Sequence, residues 1–310
     1  MTTHVRQERS DAGASVSSIW LMVCASFLFA TMGVCVKLAS VHYGTGEIVF
    51  YRGLIGAAAM IGVTRWHGTS LKTKVPAMHF WRSLSGVTAL CLWFYAIGKL
   101  PLATAMTLNY MSSVWMALFL IGGAVMLGTA RIDGRLVATV LLGFAGVALI
   151  LRPTIEEQQL WHGLMGLLSG IVAATAYLQV TGLARAGEPA LRIVFYFSVG
   201  GVVAGALTTL WTGWHAHTLR GAALLLAVGV LATTAQWMMT RAYSHGRPLV
   251  NASLAYLGIV YSFIYGVLLF DDRITWMALA GMALIVAAGL AATMLRQGTA
   301  AETITTSTES

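Results

Sequence analysis

The chain has 310 residues, 58% of them hydrophobic and 10% charged, against roughly 25% charged in an ordinary soluble domain. That balance excludes a soluble globular protein and describes a polytopic membrane protein. The net charge of +8 does not signal nucleic acid, because the basic residues are scattered among the loops with no interleaved aromatic platform.

The first 17 residues are polar, carry Arg6 and Arg9, and lead into an apolar segment without an A-x-A cleavage site, so they read as a cytosolic tail. Ten apolar segments follow: 18–39, 46–64, 79–98, 102–127, 134–151, 162–183, 190–211, 219–240, 248–270 and 274–295. About 20 apolar residues at 1.5 Å rise cross a ~30 Å hydrocarbon core, so each is expected to be a transmembrane helix. Only Lys99-Leu100-Pro101 separates the third segment from the fourth, which makes that pair a hairpin with Pro101 at a helix start. The polar end, residues 297–310, is expected to be disordered.

Basic residues divide unevenly between the two sides. The tails and the loops after segments 2, 4, 6 and 8 hold thirteen, from Arg6 and Arg9 through Arg65, Arg82, Arg131 and Arg185 to Arg296. The opposite side holds five: Lys37, Lys99, Arg152, Arg220 and Arg273. Cytoplasmic loops carry the excess, so both termini are expected in the cytoplasm.

Residues 153–161 (PTIEEQQLW) split the chain into two five-helix halves, 18–152 and 162–296. Ile48-Val49-Phe50-Tyr51 recurs 145 residues later as Ile193-Val194-Phe195-Tyr196, Lys99-Leu100-Pro101-Leu102 is echoed by Gly246-Arg247-Pro248-Leu249, and Arg131-Ile132 by Arg273-Ile274. Five is odd, so the second half enters the membrane from the opposite side. The expected fold class is therefore all-α, with ten transmembrane helices as two inverted five-helix repeats around a midplane site.

Candidate site residues are polar or aromatic groups at membrane depth. Asn109, Ser112, Ser113 and Met116 share one helical face, as do Thr233, Gln236, Trp237 and Thr240. A buried carboxamide needs a partner, so Asn109 and Gln236 either bond neighbouring helices or line a wet cavity. Trp93, Tyr110, Trp115, Trp237 and Tyr261 could supply flat apolar walls or ordinary packing. Arg52, inside the second segment, could snorkel to the headgroups or hold a carboxylate or phosphate; its repeat equivalent is Phe197.

Cys24, Cys35 and Cys91 sit in apolar segments without metal-ligand spacing and read as small buried hydrophobes. Neither a metal nor a cofactor is expected. Gly53-x-x-Gly56, Gly166-x-x-x-Gly170 and Gly201-x-x-x-Gly205 read as close helix packing. With no H-E-x-x-H, paired intramembrane carboxylates or Ser/His/Asp set, an intramembrane enzyme is not expected.

The ten segments in two halves, the YRGLIGA stretch and the FYAIGKLPLATAMTLNYMSSVWMALF hairpin make residues 18–296 resemble the drug/metabolite transporter superfamily, in its EamA-type branch. The resemblance implies a secondary transporter for a small polar or aromatic metabolite, exporting it by alternating access. Import of a vitamin or nucleotide-like compound, or export of a metal-chelating metabolite, are the alternatives. It matches Arg52, Asn109 and Tyr110 to an arginine and a polar, aromatic turn common in this branch; with Trp93, Ser113, Trp115, Gln236, Trp237 and Tyr261 from the residue pattern they make the expected substrate-binding set. The partners implied are a small-molecule substrate and the lipid bilayer; no coupling ion is identified.

Overall fold

A computed structural model describes residues 2–126, 135, 138, 141–143, 145–147, 149, 159–245, 251, 254–272, 275–288 and 290–291. Every regular element among them is helical: α1 Thr2–Ala39, α2 Thr45–Trp66, α3 Pro76–Lys99, α4 Leu102–Tyr110, α5 Ser112–Met126, α6 Leu160–Arg185, α7 Ala190–Thr212, α8 Leu219–His245, α9 Leu257–Phe270 and α10 Trp276–Ala288. Five of these helices are long and apolar enough to cross a membrane: α1 from Ser18, α2, α6, α7 and α8 to Ser244. Half of segment 134–151, residues 153–158 of the linker and the tail from 292 lie outside the described residues.

Three differences from the sequence reading follow from local chemistry. Residues 2–17 continue α1 as helix, since no proline interrupts them. The expected helix 102–127 is divided at Met111, where Val114 N–H turns back to Met111 O in a tighter i→i+3 bond. The expected helix 248–270 is likewise interrupted at Tyr256, just before α9. Prolines set helix starts, Pro76 within the first turn of α3 and Pro101 and Pro189 as the caps before α4 and α7.

The helices pack in reciprocal pairs. α2 lies on α7, α1 on α8 and α3 on α6; α2 also meets α8 as α3 meets α7, and α1 meets α9 as α4 meets α6. Exchanging α1 with α6, α2 with α7, α3 with α8 and α4 with α9 returns the same set. The α2–α7 crossing is the tightest, because a Cβ on Gly53 would fall 2.7 Å from Ser198 O, and one on Gly205 would fall 2.5 Å from Phe50 N. Outward surfaces carry bare apolar side chains such as Trp211, Leu210, Leu268 and Trp276, a lipid-facing pattern. Cys24 is exposed there too, and Cys35 and Cys91 are half-buried, which corrects the expectation that all three are buried.

The two ends of the bundle are tied differently. At one end Lys37 bonds Asp272 at 3.2 Å while Asp272 Oδ2 accepts Leu102 N–H at 2.9 Å, so one carboxylate joins α1, the start of α4 and the end of α9. Asp271, in left-handed conformation (φ 49), turns the chain so that its neighbour reaches back. At the same end Glu47, fully buried, accepts His215 N–H at 2.9 Å and faces His215 Nδ1 at 2.6 Å, which draws the α7–α8 loop onto α2. At the opposite end Glu188 accepts Arg192 at 2.9 Å and Thr73 at 2.8 Å and faces His79 at 3.1 Å. Burial would raise the Glu188 carboxyl, but hydrogen bonds from Thr73, Arg192 and His79 hold it below the ordinary carboxylate value.

Candidate functional site

A cavity of about 60 Å³ lies among α1, α2, α3, α4, α5, α6, α7 and α8. Its walls come from both halves of the chain. The break at Met111 shapes one wall: the backbone around Leu108 and Asn109 presses on Gly170 of α6, where a Cβ would fall 2.6 Å from Leu108 O. That approach places Asn109, Ser112 and Ser113 on the lining although they straddle the interruption. Tyr110 lies over Gly258, where a Cβ would meet its hydroxyl at 2.5 Å.

Six of the nine sequence-predicted residues line this space: Arg52, Trp93, Asn109, Tyr110, Ser113 and Gln236. Asn109 Nδ2 donates to Ser169 Oγ at 2.9 Å, which ties α4 to α6. Gln236 Nε2 contacts Thr240 Oγ1 at 3.4 Å within its own helix. Arg52 is 4% exposed and faces the cavity, away from lipid. Glu47, one turn away on the same helix, is committed to His215 instead of Arg52.

The other three lie elsewhere. Trp115 packs with Met116, Ala174, Tyr177 and Leu178 beside the cavity. Trp237 lines a separate, wider groove with Glu188, His67 and Thr234, its ring 5.5 Å from the Arg241 guanidinium. Tyr261 meets Phe27 edge-on at 5.4 Å, on the exposed flank of α1.

Several lining residues carried no sequence signal. Arg82 is the most consequential: it belongs to the interior of α3, is 3% exposed and faces the cavity, which corrects its assignment to a loop in the charge count. Gly86, one turn on, leaves the room its guanidinium fills, since a Cβ there would overlap Arg82 Nη1. Both guanidiniums lie against Phe197, with Arg52 Cζ 5.0 Å and Arg82 Cζ 4.3 Å from the ring centroid. Tyr177 and Tyr243 add a stacked pair, centroids 5.9 Å apart and 9° from parallel. The described lining contains no carboxylate.

Burying a guanidinium carries a penalty of several kcal/mol per ion even after relaxation. Contact with an aromatic face returns about 0.5–2 kcal/mol. The cavity therefore holds positive charge that its own walls do not neutralise, and it fits a solute better than it fits solvent-free packing.

The EamA-like transporter family model matches residues 16–152. A pseudopaline exporter of Pseudomonas aeruginosa is 33% identical over 283 residues, covering 91% of this chain and 98% of that protein. An S-adenosylmethionine uptake transporter of Rickettsia bellii is 22% identical over 248 residues (79% and 82%), and a riboflavin transporter of Rhizobium johnstonii 24% over 234 residues (74% and 75%). A solved crystal structure shares the fold with a TM-score of 0.65 at 19% identity, covering 91% of this chain and 98% of its own.

Proposed function

The chain belongs to the EamA-like transporter family, and we propose that it is a secondary transporter that exports a small polar metabolite by alternating access. The observation that carries this reading is the cavity between helices of both halves, largely apolar in surface but bearing the buried Arg52 and Arg82 guanidiniums beside Asn109 and Gln236. Export is favoured because the relative at 33% identity is named for export, while the S-adenosylmethionine relative named for uptake stands at 22%. The same kinship makes a pseudopaline-like metabolite the first solute to try.

The reciprocal helix pairs support two inverted five-helix repeats and ten spans, with α4 and α5 as one interrupted span. Arg82 leaves the charge count, yet the remaining basic residues still favour cytoplasmic termini in an inner membrane. The Lys37 end of the bundle is then the outer one. A cysteine at position 99 should react with an impermeant reagent from outside intact cells, and one at position 300 only after lysis. Equal reaction of both in intact cells would sink the ten-helix topology.

Arg52, Trp93, Asn109, Tyr110, Ser113 and Gln236 form the proposed binding set, joined by Arg82. Proteoliposomes loaded with a bacterial metabolite extract, and assayed for release by mass spectrometry without ATP, test the reading. Release of a small set of solutes above protein-free vesicles is expected. Asn109→Ala and Gln236→Ala should slow it about tenfold or more while unfolding temperature stays within a few degrees, because the amides bond neighbouring hydroxyls that have other partners or lie close to the cavity. Wild-type release no faster than that of empty vesicles would end the transport reading, and unfolded variants would make the amides structural.

A further inference from the structure

The unpartnered polar atoms of the cavity share one character. Arg52 Nε, Arg82 Nε and Nη1, and Trp93 Nε1 are all buried without a hydrogen-bond partner, and all are N–H donors. Two of the three side chains also bear fixed positive charge. Buried donors are normally satisfied, and buried guanidiniums are normally paired with acids. Here the described lining offers neither an acid nor a free acceptor positioned on them, only the face of Phe197.

The geometry sets the number and spacing of the missing acceptors. Because both guanidinium carbons lie on one ring, they can be no further apart than the two centroid distances together, about 9 Å. Each guanidinium presents a planar fork of donors that matches a carboxylate in bidentate fashion. A single carboxylate satisfies one fork and leaves the other charge bare. Two carboxylates on a short skeleton satisfy both.

We infer that the cavity is built for an organic dianion, a solute with two carboxylates, one taken by Arg52 and the other by Arg82. The Trp93 N–H faces a further acceptor on the solute, and the Tyr177–Tyr243 pair supports its body. The inference rests on the transport reading for its biological meaning but is a statement about binding alone. Phosphate groups also suit a guanidinium fork, so inorganic phosphate forms a separate arm of the test.

Full-length protein in detergent is titrated with succinate, glutarate, propionate, inorganic phosphate and chloride at matched ionic strength, and unfolding is followed by tryptophan fluorescence. Succinate or glutarate should raise the unfolding temperature saturably, by about 5 °C. Propionate and chloride should not. Arg52→Gln and Arg82→Gln should abolish the shift, yet unfold no lower than wild type without ligand, since each removes an unpaired buried charge; a merely structural arginine would lower it. Arg52→Lys and Arg82→Lys keep the charge but not the fork, and should need about tenfold more dicarboxylate.

An equal shift with propionate or chloride, a shift with phosphate alone, or glutamine or lysine variants that respond as wild type does would overturn the inference. A succinate shift without solute release from proteoliposomes would leave it standing and remove the transport reading. Release confined to solutes without acid groups would do the reverse.

Discussion

Gly205→Val should leave little folded protein, with most of the expressed chain aggregated on size exclusion in detergent. At Gly205 a first side-chain carbon falls 2.5 Å from Phe50 N, 2.7 Å from Phe50 Cα and 2.8 Å from Gly46 O. All three are backbone atoms, so no rotamer change relieves the overlap; α2 and α7 must separate. Overpacking a well-filled interior costs typically about 1–3 kcal/mol, and an immovable neighbour puts this case at or above the upper end. The same crossing holds Arg52 and Phe197 in register, so surviving protein should also transport poorly. Gly62→Val is the control: Gly62 lies on the partner helix α2 with nothing within 4 Å of a new Cβ, and its variant should behave as wild type.

Glu47→Ala should lower the unfolding temperature by several degrees and loosen the Lys37 end of the bundle. Glu47 is 0% exposed and accepts the backbone N–H groups of Gly44 (3.2 Å) and His215 (2.9 Å). Truncation strands both donors, at about 1–3 kcal/mol for each one left buried. His215→Ala should matter less, because that ring is half exposed and the backbone bond from His215 survives. Differential scanning fluorimetry orders the variants. A Glu47→Ala protein as stable as wild type would show that the α7–α8 loop is not held by this carboxylate.

Much of the architecture is legible in hydropathy alone, since a lipid-spanning helix must satisfy its own backbone and needs a long apolar run to do so. The tight α2–α7 crossing is likewise visible in the spacing of Gly53, Gly56, Gly201 and Gly205. The break at Met111 is not, because nothing local interrupts 102–127; it arises where that helix is pressed against Gly170 from across the bundle.

The site was legible in part. Arg52 stands out as a charge deep in an apolar run, whereas Arg82 follows His79 near a helix start and reads as a loop cation. Its burial depends on the gap at Gly86 and the ring of Phe197, neither of which sequence spacing reveals. Gln236 and Trp237 are adjacent and so sit about 100° apart around α8. A polar-face pattern cannot decide which of them points inward, and only Gln236 meets the cavity.

Alternating access through that one cavity is open to direct measurement. Ala176 is 3% exposed and lines it, so a cysteine at 176, in protein whose Cys24, Cys35 and Cys91 have been replaced by alanine, reports which side reaches the site. An impermeant maleimide added to the bath should label it both in right-side-out vesicles and in inverted ones, which present opposite faces of the membrane, with a transported solute slowing both reactions. Labelling from one face only, in protein that still releases solute from proteoliposomes, would contradict a site that opens in turn to each side.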